Sequence, residues 1–164
     1  IMEVLPLIIT FNAFSCSVGA VAATSILHQK AIDIRQRPVT WQSYHKSQMI
    51  SDRDFKFITA YEAVKPENRS EFLQANGPQT AETFLSLLHS LSKDQTIQYV
   101  LCLLDEMFLE HKTRVDIFHS YCAERKTSLW QQFFSLLHRD DPFIQNMVSA
   151  GPCLHDQNAF FKLS

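Results

Sequence analysis

Glycine is scarce in this sequence, with three residues among 164. Sandwich, propeller and Rossmann folds each require many turns or a glycine-rich loop, so all three are disfavoured. The pattern G-x-x-x-x-G-K-[ST] of a phosphate-binding loop is also missing. The cysteines form no C-x-x-C pair and have no zinc-finger spacing, which favours a reducing, cytosolic compartment. They are Cys16, Cys102, Cys122 and Cys153.

The sequence also has no large excess of either positive or negative charge. The formal net charge is −2 and the pI is about 6.4, with no basic stripe, so nucleic acid is a poor candidate partner. The chain is 46% hydrophobic and 20% charged, which is ordinary for one globular domain with a real core. Because the sequence begins with Ile1 and not methionine, we expect a fragment or the product of an incomplete reading frame.

Residues 4–27 carry no charge and are long enough to raise the question of a membrane span. Pro6 and several polar residues dilute the stretch, and the basic residues that precede a signal peptide are absent. We therefore predict a loosely structured leader over residues 1–21. A small membrane-anchored protein that uses residues 4–27 remains an alternative.

No segment shows sustained period-two alternation, whereas apolar residues recur at helical spacing, so the chain is predicted to be all-α. Start and stop signals divide it into short helices: Ser51 with Asp54, and Ser128, resemble N-caps, and Asp141-Pro142 is a clean helix start. Gly77-Pro78 is predicted to stop a helix, with Gly77 in the left-handed region. The predicted helices are 22–36, 51–64, a short one ending near 76, 79–91, one beginning at Asp94, one opened by Thr113 and Asp116, one after Ser128, and 141–150.

The sequence contains an internal repeat. "FLSLLHSLSKDQTIQYV" (84–100) is echoed by "FFSLLHRDDPFIQNMV" (133–148), at a period of 47 to 49 residues. This period is at or just beyond the roughly 40–47 residues of HEAT and armadillo repeats. The predicted fold is therefore a partial HEAT/armadillo-like solenoid whose unit is a helix, a tight turn with an aspartate, and a second helix.

Several of these stretches resemble the N-terminal region of a V-ATPase family, that of the pump's H subunit. The specific ones are W-Q-S-Y with Q-M-I-S, in "WQSYHKSQMIS" (41–51), and K-D-Q-T-I-Q-Y within 84–107, supported by "RVDIFHSY" (114–121) and "FFSLLHRDDPFI" (133–144). The segment "AATSILHQKAIDIRQ" (22–36) looks most like insect members. The resemblance gives three parts: an unmatched leader at 1–21, a helical-repeat domain at 22–150 and a divergent tail at 151–164.

The resemblance implies a non-catalytic regulatory subunit in the peripheral sector of the vacuolar proton pump. It implies a contact with the peripheral stalk, which is made of the E and G subunits. It also implies a place on the cytosolic face of vacuolar, lysosomal or endosomal membranes. A free-standing helical-repeat adaptor unconnected with the pump is the alternative function.

A basic group around the end of the first helix is the candidate partner-binding surface. Lys30, Arg35, Arg37 and Lys46 are offset only by Asp33. They could meet an acidic stalk, although a solvated helix end is an equal interpretation. Trp41 and Tyr44, placed between helices, are either aromatic anchors for a partner or residues that pack the first helix onto the solenoid. The candidate site residues are Lys30, Arg35, Arg37, Trp41 and Tyr44.

No catalytic group, cofactor or metal site is predicted. His119 and Cys122 have the spacing to share a zinc ion, but no nearby pair supplies the other two ligands. Asp105 and Glu106 are adjacent on a helix and do not face each other, so a solvated acidic face is predicted.

Two apolar surfaces are predicted near the end of the chain. The helix after Ser128 should pack through Trp130, Phe133, Phe134 and Leu137. Since no polar cap follows residue 150, apolar surface should remain open around Leu136, Phe143 and Met147.

Overall fold

The computed structural model describes residues 18–150, and side chains from residue 26 to residue 149. Within this part of the chain every regular element is helical, which confirms the all-α prediction. Most of the predicted leader and the whole predicted tail lie outside the described residues. The helices are α1 (Val18–Arg35), α2 (Trp41–Lys46), α3 (Asp52–Ala63), α4 (Arg69–Ala75), α5 (Gly77–Ser90), α6 (Asp94–Glu110), α7 (Val115–Glu124), α8 (Leu129–Phe134) and α9 (Pro142–Ala150), with 3₁₀ turns at Pro66–Asn68, Lys112–Arg114 and Ser135–His138.

Three predicted helix starts are confirmed by their hydrogen bonds. The hydroxyl of Ser51 accepts the backbone N–H of Asp54 at 3.0 Å. Ser128 forms a reciprocal capping box with Gln131. The carboxylate of Asp141 accepts the N–H of Ile144 at 2.9 Å. Each cap satisfies backbone donors that the first helical turn leaves unpaired.

The prediction for Gly77 is wrong. The preceding helix does end at Ala75, but Gly77 is the first residue of α5, and Pro78 occupies its first turn. A proline in the first turn loses no intrahelical hydrogen bond, and its fixed φ suits a helix, so the same residues end one helix and begin the next. The described residues with left-handed backbone are Gln48 and Lys126, with φ of 59° and 55°.

The segment that holds Trp41 and Tyr44 was predicted as a connection, and it forms the short helix α2. Pro38 does end the preceding helix, as predicted, with Arg35 as its last residue. That helix begins at Val18, four residues before the predicted start.

The twofold phrase corresponds to two equivalent helix pairs, α5–α6 and α8–α9. Phe84 and Phe133 are both buried, as are Ile97 and Ile144. His89 and its counterpart His138 each bond the carbonyl oxygen four residues earlier, at 2.7 and 3.1 Å. The structure thus places the repeated residues in the same roles, as a solenoid unit requires.

Two polar contacts join the repeated pairs. The guanidinium of Arg139 donates to the carboxylate of Asp94 at 2.6 Å and to the carbonyl of Ser92 at 3.1 Å. The side-chain amide of Gln98 donates to Asp141 at 2.7 Å. The aspartate at the start of each second helix is therefore bound by the other unit.

The core is built around α6, which packs against α1, α5 and α9. Aromatic rings of neighbouring helices meet edge to face, a geometry that is favourable for aromatic pairs. Tyr61 meets Phe84 at 5.2 Å, Phe84 meets Phe118 at 6.4 Å, and Phe118 meets Phe108 at 5.3 Å between ring centroids. These four rings connect α3, α5, α7 and α6.

The predicted apolar stripe after Ser128 is only partly correct. Leu129, Phe133 and Leu136 are buried, whereas Phe134 is 50% exposed. The reason is that the buried stripe runs through Leu129, Phe133 and Leu136, at spacings of four and three, and Phe134 lies one residue, about 100°, around the helix from it.

The predicted open surface around Leu136 and Phe143 is wrong. These side chains are 2% and 1% exposed, and Met147 is partly buried against the core. Phe143 lies beneath the ammonium of Lys30 at 5.2 Å.

The predicted solvated acidic face of α6 is also wrong. Asp105 and Glu106 are both half-buried. Glu106 pairs with Arg35 of α1, and Glu110 pairs with Arg69 and Arg114. These carboxylates contact neighbouring elements, which helical spacing within α6 could not indicate.

Candidate partner-binding surface

The five predicted surface residues fall in two groups, one engaged in contacts within the chain and one facing a groove. Arg35 and Trp41 belong to the first group. Lys30, Arg37 and Tyr44 line the groove. The sequence put them together because they are close along the chain, and their burial separates them.

Arg35 is held by an ion pair across 71 positions of the sequence. Its Nε and Nη2 atoms donate to the two carboxylate oxygens of Glu106 at 2.6 and 3.2 Å. The guanidinium also lies 4.8 Å from the ring centroid of Tyr99. Burial by itself would lower the pKa of Arg35, but the hydrogen bonds and charge of Glu106 raise it overall, so the guanidinium stays charged.

Trp41 is 5% exposed and packs in the core. Its indole Nε1 donates to Glu62 at 2.7 Å, and the hydroxyl of Tyr99 donates to the other oxygen of the same carboxylate. Burial, followed by this bond to Glu62, raises the pKa of Tyr99 to about 12. Trp41 therefore ties α2 to α3 and α6, which agrees with its interpretation as a packing residue.

The groove has a volume of about 780 Å³ and lies between α1, α2 and the first turn of α6. Lys30 forms part of its wall, with its ammonium over Phe143. The hydroxyls of Tyr44 and Thr96 share a hydrogen bond of 2.5 Å and fix the opposite wall. Further lining residues are Asp33, Ile34, Arg37, Ser43, Lys93, Asp94, Gln95, Gln98 and Asp141.

The carboxylates of the groove are already engaged. Asp94 binds Arg139, and Asp33 accepts a hydrogen bond from Gln29 at 3.0 Å. Asp141 accepts hydrogen bonds from Gln98 and from the start of α9.

The cations of the groove differ from these carboxylates in the described part of the chain. Among the described side chains, Lys30, Arg37 and Lys93 take part in none of the ion pairs. The groove therefore holds three cations outside these ion pairs, whereas of its three carboxylates Asp94 alone is paired with a cation, Arg139. Asp33 and Asp141 accept hydrogen bonds from neutral groups and keep their charge.

Three residues of this region were not predicted from sequence. Glu62 disturbed the apolar side of its helix, and that irregularity was a usable signal, because the carboxylate is the common acceptor for Trp41 and Tyr99. Lys93 and Thr96 gave no signal, since they reach the groove only because α6 begins beside α2.

Asp105 lies on α6 next to the ion-paired Glu106. Burial, with a smaller contribution from the charge of Glu106, raises the pKa of Asp105 to about 7. Burial likewise raises the pKa of the nearby Cys102 thiol to about 12, with Asp105 adding to the effect. Asp105 takes part in none of the ion pairs among the described side chains, and a half-buried carboxyl of this kind destabilises the fold when it ionises.

Among the described residues, no third metal ligand joins His119 and Cys122, the pair that has the spacing of zinc ligands. Within residues 18–150, no three side chains of His, Cys, Asp or Glu come together as a metal site would require. Cys122 is buried in the core, and burial raises the pKa of its thiol.

None of the helices in residues 18–150 combines the length and the apolar character needed to cross a bilayer. The part of the apolar stretch that precedes residue 18 lies outside the described residues.

Comparison with known proteins gives consistent matches. The family model described as the V-ATPase H subunit matches residues 25–151. The chain is 46% identical over 133 residues to the V-type proton ATPase H subunit of Drosophila melanogaster, covering 81% of this chain and 28% of that protein. It is 41% identical over 137 residues to the second probable V-type proton ATPase H subunit of Caenorhabditis elegans, covering 82% of this chain and 29% of that protein. The chain thus spans less than a third of the length of these relatives.

Proposed function

This chain belongs to the family of V-ATPase H subunits, and we propose that it acts as a non-catalytic regulatory part of the vacuolar proton pump. The family match over residues 25–151 carries the proposal, because it extends over nearly the whole helical domain. The helical repeats support it, since stacked helix pairs present extended surfaces for other proteins. Affinity purification of the tagged chain from cells tests it. The catalytic and stalk subunits of the pump should co-purify in fixed ratio, and their absence would favour a free-standing adaptor.

The first prediction is that the isolated chain does not hydrolyse ATP. The sequence has no phosphate-binding loop, and the polar clusters built on Glu62 and Glu106 are used to hold helices together. A coupled assay on the purified chain should give no turnover above that of buffer. Sustained hydrolysis that co-elutes with the chain through two chromatographic steps would refute the prediction.

We propose that the cations of this groove bind an acidic helical partner, and that this partner is the stalk of the E and G subunits. Lys30, Arg37 and Lys93 supply the free positive charge, and the tyrosine hydroxyl of Tyr44 lies at the edge of the same groove. Arg35 and Trp41 hold α1 and α2 in position, so their contribution to binding is indirect. Charge complementarity of this type chiefly raises the association rate and the selectivity for a partner.

The second prediction concerns charge reversal in this groove. Replacing Lys30, Arg37 and Lys93 together by glutamate should weaken binding to a purified E–G pair by about tenfold or more at low salt, with the effect shrinking as salt screens the charges. Isothermal titration or biolayer interferometry at two ionic strengths measures this.

The matched control reverses three exposed lysines away from the groove, Lys65, Lys112 and Lys126. It makes the same change in net charge, so it should leave the affinity within about twofold. Equal weakening by both triple variants would show that only net charge matters and would refute the assignment of the groove.

We further propose that the chain reaches the cytosolic face of vacuolar, lysosomal or endosomal membranes through the assembled pump. The testable consequence is that the chain itself does not insert into the membrane. Alkaline carbonate extraction should release the chain, whereas retention in the membrane pellet would support the alternative of an anchor in residues 4–27.

A further inference from the structure

Asn76 and Gly77 form the joint between α4 and α5. Asn76 follows the last residue of α4, and its side-chain Nδ2 donates to the carbonyl oxygen of Phe72 at 2.9 Å. Its own carbonyl oxygen accepts the backbone N–H of Thr80 at 2.9 Å and the hydroxyl of Thr80 at 2.8 Å. Thr80 is fully buried, so its hydroxyl depends on this acceptor. Asn76 therefore holds the end of α4 and the start of α5 together.

The described fold gives no steric reason for glycine at position 77. Gly77 lies in the first turn of α5, and its φ is not in the left-handed region. A Cβ at this position would lie 3.7 Å from Cγ2 of Ile117, an ordinary van der Waals contact. Alanine would therefore fit here, and it is the better helix former. Since packing and backbone conformation do not account for the glycine, its chemical effect on the preceding residue becomes relevant.

An asparagine followed by glycine is chemically labile. The backbone nitrogen of the following residue attacks the side-chain carbonyl carbon of the asparagine, and a side chain on that residue hinders the approach. The reaction is intramolecular, so the two groups need not be brought together from solution. Asn76 is the one asparagine in the sequence that glycine follows, whereas Asn68 precedes an arginine and Asn146 precedes a methionine.

We propose that Asn76 is a site of spontaneous deamidation, and that the reaction loosens the joint between α4 and α5. The nitrogen of Gly77 loses its proton to solvent and attacks Cγ of Asn76. The new bond closes a succinimide ring, while the bond from Cγ to Nδ2 breaks and Nδ2 leaves as ammonia with a proton taken from water. A water molecule then opens the ring at Cγ, which gives aspartate, or at the backbone carbonyl carbon, which gives isoaspartate. The co-reactant is water alone, and the inference does not depend on the proposed role in the pump.

The folded joint slows this reaction, because the attacking geometry requires the joint to open. The bond from Nδ2 to the carbonyl of Phe72 must break, and Asn76 must leave its present backbone conformation, with φ of −128° and ψ of 26°. Helix α4 is seven residues long and buries Leu73. A short helix with so little buried surface opens locally at a lower free energy than the core does. The rate of deamidation therefore reports on the opening of this joint.

Isoaspartate is the product with the larger effect on the joint. It adds a methylene to the backbone, which displaces the carbonyl that binds Thr80 and leaves a buried hydroxyl without its acceptor. Aspartate keeps the backbone but has no donor for the carbonyl of Phe72. Its negative charge is unfavourable at the end of α4 and favourable at the start of α5, so these two contributions offset each other.

The first test measures deamidation at each asparagine. The purified chain is incubated under native conditions at neutral pH, and peptide mapping by mass spectrometry gives the rates. Asn76 should react at least about tenfold faster than Asn68 and Asn146. Asn68 and Asn146 are exposed and Asn76 is half-buried, so exposure alone would give the opposite order. Methylation by a protein isoaspartyl methyltransferase identifies the isoaspartate product.

Gly77→Ala is the decisive variant, because the fold accepts the added Cβ. It should keep the native circular dichroism spectrum and slow the reaction at Asn76 by about tenfold or more, with the rates at Asn68 and Asn146 unchanged. A rate at Asn76 that equals those of the other two asparagines, or that Gly77→Ala leaves unchanged, would overturn the assignment of the site.

The second test measures the effect on the joint. The isoaspartate form carries one more negative charge, so anion exchange separates it from the original chain. Denaturant melts of the two forms should show that the unfolding equilibrium constant is about tenfold larger in the isoaspartate form. Equal stability of the two forms would overturn the proposed loosening.

Discussion

Replacing Phe118 by alanine is expected to lower the free energy of unfolding by about 3–5 kcal/mol. The ring of Phe118 is fully buried and makes edge-to-face contacts with Phe84 and Phe108. Its removal loses the favourable free energy of transferring the ring from water into the core. It also leaves a cavity between α5, α6 and α7, which the close-packed neighbours fill only in part. Urea denaturation followed by circular dichroism would measure the loss.

Phe134→Ala is the matched control, because it deletes the same atoms from a side chain that is half exposed. It should change stability by less than about 1 kcal/mol in this chain. A similar loss for the two variants would mean that the rings are equally buried in solution, and the packing described for α7 would be incorrect.

Local chemistry explains which helices the sequence predicted well. Ser51, Ser128 and Asp141 are caps, and each acts on backbone donors within three residues of itself. Such signals are complete in the sequence because no other part of the chain is involved. Gly77 was wrongly predicted because a glycine and a proline can end one helix or begin another, and only the neighbouring helix decides.

The repeat was also accessible from sequence, because the two units keep the same residues in the same roles. His89 and His138 illustrate this, since both bond the preceding turn of their own helix. The repeat did not reveal that equivalent positions of the two units differ in exposure. Leu85 is 4% exposed and its counterpart Phe134 is 50% exposed, a difference that the spacing of the apolar residues does not encode.

The candidate site also depends on contacts between residues that are distant in the sequence. Because they are close in sequence, Arg35 was grouped with Lys30 and Arg37. In the fold Arg35 forms an ion pair with Glu106, 71 positions away, so its charge is not available to a ligand in the groove. Lys93 joins the free charge only because α6 begins beside α2. A basic cluster identified from sequence therefore gives the region of a charged surface, and the pairing of each side chain must come from the fold.

Asp105→Asn is expected to stabilise the protein at neutral and higher pH. The pKa of Asp105 is raised by burial to about 7, compared with about 3.9 in an unfolded chain. Between these values the folded state holds a proton that the unfolded state has lost, so this carboxyl reduces stability as pH rises from about 4 to 7. A displacement of about three pH units corresponds to about 4 kcal/mol, and for a half-buried group we expect about half of this gain near pH 8.

The pH dependence separates this effect from ordinary repacking. The gain should largely vanish at about pH 4 and below, where the carboxyl is protonated in both the folded and the unfolded chain and is close in shape and charge to asparagine, and about a third of it should remain at pH 5. Asp140→Asn, at an exposed position, should show no gain at either pH. Thermal melts of the three proteins at pH 5 and pH 8 decide the matter. A gain of the same size at both pH values would attribute it to hydrogen bonding, and no gain at pH 8 would show that water already solvates the carboxylate beside Glu106.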